Sequence, residues 1–317
     1  MKLATLARAD GPYVAIVHDG DSLAFDLAAA AGRAGADTAP FGSMLALIEA
    51  GEPGLAAARA VFADLGGESR FSTPIRDASF LPPLPRPTQL RESALFSQHI
   101  RHAPAGMRRL AGDNAARPLD AVPAAFSERP VFYFQNRLNV VGHGAEIAWP
   151  ALSHVIDYEL ELGLVIGKAG RDIPVESARS HFFGYTIYND FSARDFQLRE
   201  AEGGFGPSKS KSFDGANAMG PWIVTIDELV DPVGLAASVS INGEVIAEAV
   251  LDGMVHTPEA TVSYMSRDET LEAGEVIGLG TTPRGCGLEV GRYLERGDLV
   301  ELTVEGIGTL ANRIRAG

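Results

Sequence analysis

Three carboxylates recur at every second residue in Val155-Ile156-Asp157-Tyr158-Glu159-Leu160-Glu161-Leu162-Gly163-Leu164-Val165-Ile166-Gly167. The length and β-branched content of this segment predict a strand, which puts Asp157, Glu159 and Glu161 on one face and Tyr158, Leu160 and Leu162 on the other. Carboxylates packed this closely into a core-like strand are unfavourable unless a cation compensates them. Hard oxygen ligands of this kind suit Mg²⁺, Mn²⁺ or Ca²⁺ rather than Zn²⁺. Read alone, the same segment also describes a strand whose acidic face is washed by solvent.

Four further segments carry groups able to do chemistry. In Gly184-Tyr185-Thr186-Ile187-Tyr188-Asn189-Asp190-Phe191-Ser192-Ala193-Arg194-Asp195-Phe196-Gln197 a strand runs into a polar turn, so Asp190 falls where a strand end can present a ligand. Taken alone, Asp190 is equally a helix N-cap. Arg194 and Gln197 share a face if a helical turn begins there. Phe205-Gly206-Pro207-Ser208-Lys209-Ser210-Lys211-Ser212-Phe213-Asp214-Gly215 is a Gly/Ser-rich loop whose lysines can meet a substrate carboxylate or a developing enolate. It lacks the phosphate-loop pattern, and it also reads as a plain solvated loop. His99 and His102 offer a general base near neutral pH, and the residues around them do not choose between the two. Finally, Ile277–Glu289 reads as a strand ending in a glycine-rich loop that lets backbone approach a ligand; Cys286 within it has no activating partner in sequence and is assigned a structural role.

The elements that must position these groups divide unevenly. Lys2–Arg8, Tyr13–Val17 and Ser22–Leu27 are short alternating runs, with a turn at His18-Asp19-Gly20-Asp21 between the last two. Ala28–Ala34 and Phe41–Leu65 follow as helices, the second interrupted at Gly51-Glu52-Pro53-Gly54, and then a strand-like run at Arg70–Phe80. The four prolines of Leu81–Pro87 remove backbone donors and mark a linker. The expected division is a small N-terminal α+β domain over 1–81, a linker over 82–90 and a larger domain over 91–317. In the latter, 92–107 is a helix or ordered loop and 108–129 an irregular excursion. Strands are then expected at 131–134, 154–166, 183–188, 221–225, 237–241, 275–278 and 299–304, with few helices, at 175–180 and 259–266. Asn242-Gly243 marks a two-residue hairpin. The fold class is α+β and β-rich.

Composition narrows the partners. The 317 residues carry 41 acidic and 27 basic side chains, a net charge of -14, which repels phosphate backbones and anionic membranes. The expected partner is therefore a small organic acid, with no nucleic acid and no membrane. A single cysteine forbids an intramolecular disulfide or a thiolate cluster, and no early apolar run suggests a signal peptide, so a cytoplasmic setting is expected.

At the segments DYELELGLVIGKAGRDI, GYTIYNDFSARDFQ, GPSKSKSF and VIGLGTTPRGCGLEVGRYLERGDLVEL the chain resembles the fumarylacetoacetate hydrolase family, which has them in the same order. The resemblance implies a mixed β-roll catalytic domain, a homodimer, and a divalent metal, Mg²⁺ or Ca²⁺ with Mn²⁺ as the alternative. It assigns Glu159, Glu161 and Asp190 as metal ligands. Glu92 stands where larger members have an aspartate seven residues before the catalytic histidine, which selects His99 as base, and Ser93 replaces the aromatic residue that often follows. Glu289 matches the acidic partner of that histidine. Arg194, Gln197 and Lys211 match groups that hold substrate and stabilise oxyanions, Thr281 a threonine at the substrate carboxylate, and Tyr133 lies near the substrate loop. The implied activity is hydrolysis of a carbon–carbon bond in a β-diketo acid of the fumarylacetoacetate or acylpyruvate type, with water activated by a His–Glu pair and the enolate leaving group stabilised by the metal. The alternatives are decarboxylation, isomerisation or hydration of a 2-oxo or unsaturated diacid on the same fold and, from another class, a non-catalytic organic-acid or metal-binding protein.

Overall fold

The computed structural model describes residues 1–204 and 206–316; Phe205, at the head of the lysine loop, lies outside the described residues. The strands that build the site and its supports are β1 (Lys2–Ala7), β2 (Tyr13–His18), β3 (Leu23–Asp26), β4 (Leu90–Ser93), β5 (Phe132–Phe134), β6 (Leu160–Ile166), β7 (Phe182–Asp190), β8 (Asn217–Thr225), β9 (Ala236–Ile241), β10 (Glu244–Val250), β11 (Val276–Gly278), β12 (Leu299–Val304) and β13 (Gly308–Ile314). The helices that matter are α1 (Leu27–Ala34), α2 (Met44–Leu65), α3 (Ser97–Leu110), α4 (Arg194–Glu202), α5 (Pro258–Met265) and α6 (Gly287–Val290).

One large sheet carries most of them in the order β3-β2-β1-β8-β7-β6-β11-β4-β5. Neighbours are antiparallel except β11 and β4, which run parallel. A second sheet, in the order β10-β9-β12-β13, covers one face of the first. Alternation along β6 explains the layering. Leu160, Leu162, Leu164 and Ile166 enter the core shared with Val239, Ile241, Leu302 and Leu310, whereas Val165 joins Phe25, Leu47 and Ile48 on the opposite face, where α1 and α2 pack. The first strand is continuous with this architecture, because Lys2 and Leu3 pair with Val224 and Ile223 of β8.

Several elements depart from the pattern expected from sequence. The acidic segment is not one strand: Ile156–Asp157 pairs with Ser192–Ala193, β6 begins only at Leu160, and Glu159 makes a lone bridge to Cys286. Side chains take the intervening backbone donors, Asp157 Oδ1 from Tyr158 N at 3.0 Å and Asn189 Oδ1 from Glu159 N at 3.0 Å, so the ladder is interrupted. The run 70–80 holds only two short pieces, Ser72–Pro74 and Ser79–Phe80, because Pro74 cannot donate and a tight turn follows it. Helix α2 is kinked where Gly51 leaves helical space at φ 57°. Residues 92–107 resolve into the end of β4 and most of α3, and the excursion after Leu110 contains a short helix, Ala124–Glu128. The final strand β13 was not expected.

Candidate active site

Four adjacent strands bring the acids together. Asp190 ends β7, Glu161 lies on β6 with Glu159 just before it, and Glu92 lies on β4 beyond β11. What lets Glu92 and Glu161 meet across β11 is Gly278: a Cβ there would fall 1.8 Å from Glu92 Oε2 and 3.0 Å from Glu161 Oε2. Glu92, Glu161 and Asp190 each offer an oxygen within 4.8 Å of the others, and all three are buried. Glu161 accepts from Gly280 N at 3.1 Å and Thr281 Oγ1 at 3.2 Å, and Asp190 from Gln135 Nε2 at 2.9 Å and Tyr133 Oη at 3.2 Å. Glu92 Oε2 has no hydrogen-bond partner.

Glu159 stands apart from this trio because cations occupy it. Arg194 Nη2 donates to its Oε1 at 2.6 Å, and Lys211 Nζ bridges its Oε2 to Asp190 Oδ2. Arg194 starts α4, is held by Asp157 through Nε at 2.8 Å, and donates through Nη1 to Gln197 Oε1 at 3.0 Å, one helical turn on. Asp157 in turn accepts from Gly287 N at 2.7 Å, tying this arginine to the start of α6. Lys211 ends the loop that Glu200 of α4 holds by accepting from Ser208 N at 3.0 Å and Lys209 N at 2.6 Å.

The histidine faces the acids from α3. Its Nδ1 lies 2.8 Å from Glu289 Oε1 on α6, and its Nε2 is 3.9 Å from Glu159 Oε1. Glu289 Oε2 also accepts from Gln98 Nε2 at 3.0 Å and Arg284 N at 3.0 Å. Because a carboxylate only accepts, Nδ1 carries the proton and Nε2 presents its lone pair. Cys286 Sγ sits 3.8 Å from Nδ1, and burial pushes this thiol well above its ordinary value, so it stays protonated.

These groups surround one cleft of about 350 Å³. His99, Glu92, Glu159, Glu161, Arg194, Gln197, Lys211, Thr281 and Tyr133 line it, while Asp190 and Glu289 stand directly behind lining residues; His102 does not line it. Spacing along the chain did not reveal four supports: Asp157 as the clamp of Arg194, Gln135 on Asp190, Gln98 on Glu289, and Glu200 under the lysine loop. Only Asp157 carried a signal, its place in the acidic alternation.

Protonation follows burial and neighbours. Burial, reinforced by the Glu161 carboxylate, lifts Glu92 well above the usual carboxylate range. Glu161 is lifted as well, by burial and by the Glu159 and Asp190 carboxylates. Burial pushes Asp190 up to about 6 against the pull of Lys211. Glu159 moves the other way: burial would raise it, but Arg194 and Lys211 hold it well below the usual range. Glu289 is likewise held low, its burial outweighed by His99. A buried carboxylate trio that prefers to keep protons, with one oxygen unsatisfied, is chemically suited to a hard divalent cation.

Residues 105–315 match the protein-family model described as fumarylacetoacetate (FAA) hydrolase C-terminal. The chain belongs to the fumarylacetoacetate hydrolase family. Among solved structures, the fumarylacetoacetate hydrolase of Exiguobacterium antarcticum is 26% identical, with a TM-score of 0.74 and 100% of both chains covered. The fumarylpyruvate hydrolase of Pseudomonas aeruginosa, in complex with Mn²⁺ and pyruvate, is 28% identical with a TM-score of 0.57, covering 72% of this chain and 90% of that one. The oxaloacetate tautomerase YisK of Bacillus subtilis is 35% identical over 193 residues, 60% of this chain and 63% of that protein. The chain thus spans less than two thirds of that relative, and the family relatives include both hydrolases and a tautomerase. Among the described residues no helix is long and apolar enough to cross a membrane.

Proposed function

We propose that the chain hydrolyses a carbon–carbon bond in a β-diketo acid of the acylpyruvate type. The observation that carries this reading is the His99–Glu289 pair, with Nδ1 at 2.8 Å from the carboxylate and Nε2 turned toward the acids of the cleft. A decarboxylase has no need of an activated water, whereas a hydrolase needs a base in this position. His99 takes a proton from water at Nε2, and Glu289 stabilises the imidazolium that results. The water oxygen bonds to the acyl carbonyl carbon, and Lys211 and Arg194, with Gln197 holding the guanidinium, stabilise the oxyanion. The bond between that carbon and the methylene then breaks. Its electron pair leaves with the pyruvate portion as an enolate, and the proton held on His99 balances it on carbon, giving a carboxylic acid and pyruvate.

Glu92, Glu161, Asp190 and Glu159 are the residues that would hold a divalent cation, and Thr281 and Tyr133 sit where they steady Glu161 and Asp190. When bound, such an ion supplies Lewis acidity toward a 1,3-dicarbonyl. The Mn²⁺ in the fumarylpyruvate hydrolase supports a divalent metal here.

A second reading, tautomerisation or decarboxylation of a 2-oxo diacid, is favoured by the 35% identity to the oxaloacetate tautomerase. One assay separates them: acylpyruvates and oxaloacetate are each offered to the protein with Mg²⁺, Mn²⁺ or chelator, alongside His99→Gln. Hydrolysis predicts metal-dependent loss of diketone absorbance that falls about 10²–10⁴-fold in the variant. Turnover of oxaloacetate with no turnover of any acylpyruvate would replace the hydrolase reading with the second one.

A further inference from the structure

The cleft has two chemically different linings. One consists of the carboxylates with Arg194, Lys211 and His99; the other of Ala103, Pro104 and Met107 of α3, Phe126, Val131 and Leu288. Arg194 and Lys211 are the only arginine or lysine among the described residues lining it, and both are ion-paired to the acids. The arginines of α3 turn elsewhere. Arg101 donates to Leu119 O at 2.8 Å, Arg108 pairs with Asp113, and Arg109 spends its guanidinium on the carbonyls of Ala116 and Leu288 at 3.3 Å. Phe126, in the apolar lining, is held by His256 Nε2, which donates to its carbonyl at 2.7 Å.

We infer that the acyl arm of the substrate is neutral and apolar, an alkyl or aryl group, and not a second carboxylate. This rests on the hydrolase reading for the reaction, but the argument about the arm rests on the walls alone. A dicarboxylate would place its far anion among aliphatic and aromatic side chains, where every arginine and lysine among the described residues lining the cleft is already paired to an acid, at a large desolvation cost. An alkyl or aryl arm instead exchanges water for Met107, Phe126 and Leu288, and each methylene buried there favours binding. The pyruvate portion keeps its single carboxylate near Arg194 and Lys211.

The test uses the full chain with Mn²⁺ and compares benzoylpyruvate and hexanoylpyruvate with fumarylpyruvate by loss of diketone absorbance. The expected result is a kcat/KM at least about tenfold higher for the neutral arms, and Met107→Arg should reverse the order. Calorimetry with 2-oxohexanoate against 2-oxoadipate reads the arm without any turnover, and the neutral acid should bind more tightly by a similar factor. Equal or better use of fumarylpyruvate, or equal binding of 2-oxoadipate, overturns the inference. No diketone turnover with 2-oxohexanoate still preferred overturns the hydrolase reading and supports the apolar arm.

Discussion

Glu289 accepts three hydrogen bonds, from His99, Gln98 and the backbone of Arg284, so its carboxylate is fixed before any substrate arrives. Glu289→Gln keeps the shape and removes the charge that stabilises a protonated His99. Turnover should fall about 10²–10⁴-fold, whereas Mn²⁺ affinity measured by calorimetry should stay unchanged, because the residue touches none of the buried acid trio. An equal loss of metal affinity would show that Glu289 supports the whole site instead of the histidine. Residue by residue, what was legible in sequence is what lies close along the chain: Arg194 and Gln197 are three apart and do bond to each other. The choice of His99 over His102 was not legible from neighbouring residues, since Glu289 lies 190 positions away. Gln135 and Gln98 were missed for the same reason, an amide being unremarkable until a distant fold partner meets it.

Helix α3 presents His99 and short α6 presents Glu289, so the contact between these two helices sets the alignment of the pair. Gly106 makes that contact possible: a Cβ there would lie 2.4 Å from Leu288 O and 2.8 Å from Leu288 Cβ. Gly106→Ala must push α3 off α6, an overpacking that costs about 1–3 kcal/mol. The expected outcome is a lower melting temperature together with a lower kcat, while metal binding persists because the acids lie on β4, β6 and β7. Unchanged kcat despite a lower melting temperature would mean that helix contact does not govern the histidine. At this scale, strand alternation was readable because a period of two needs only neighbours. The interruption at Tyr158-Glu159 was not, because Asn189 and Asp157 side chains capture backbone donors only once β7 lies alongside. The helical character of 124–128 was hidden as well, as five residues give too little periodicity to detect.

Across the whole molecule, the large sheet is shared by the N-terminal strands and the strands bearing the acids, and Leu3, Phe25 and Leu47 pack in one core with Val165, Ile223 and Val276. That continuity was invisible in the sequence, where prolines at 82–87 read simply as a break, because the pairing of Leu3 with Ile223 spans most of the chain. It also means that strain in the acid cluster is felt by global stability. Glu92 and Glu161 have folded values raised above the roughly 4.3 of an unfolded glutamate, and Asp190 is raised to about 6. A raised carboxyl contributes stability that is fully present below the unfolded value and is lost as pH rises through the folded one. Glu159 and Glu289 have the opposite sign, contributing above the unfolded value and losing that contribution as pH falls through their depressed values. Chelator-treated protein should therefore lose stability as pH rises from the unfolded carboxylate range through the value of about 6 at Asp190, as the trio is forced to ionise without a counter-charge. A divalent cation competes with those protons, so the rise in melting temperature on adding Mn²⁺ should grow with pH over the same window. Thermal melts with and without Mn²⁺ across that range provide the check. An increment that does not change with pH would mean that the trio is not where protons and metal exchange.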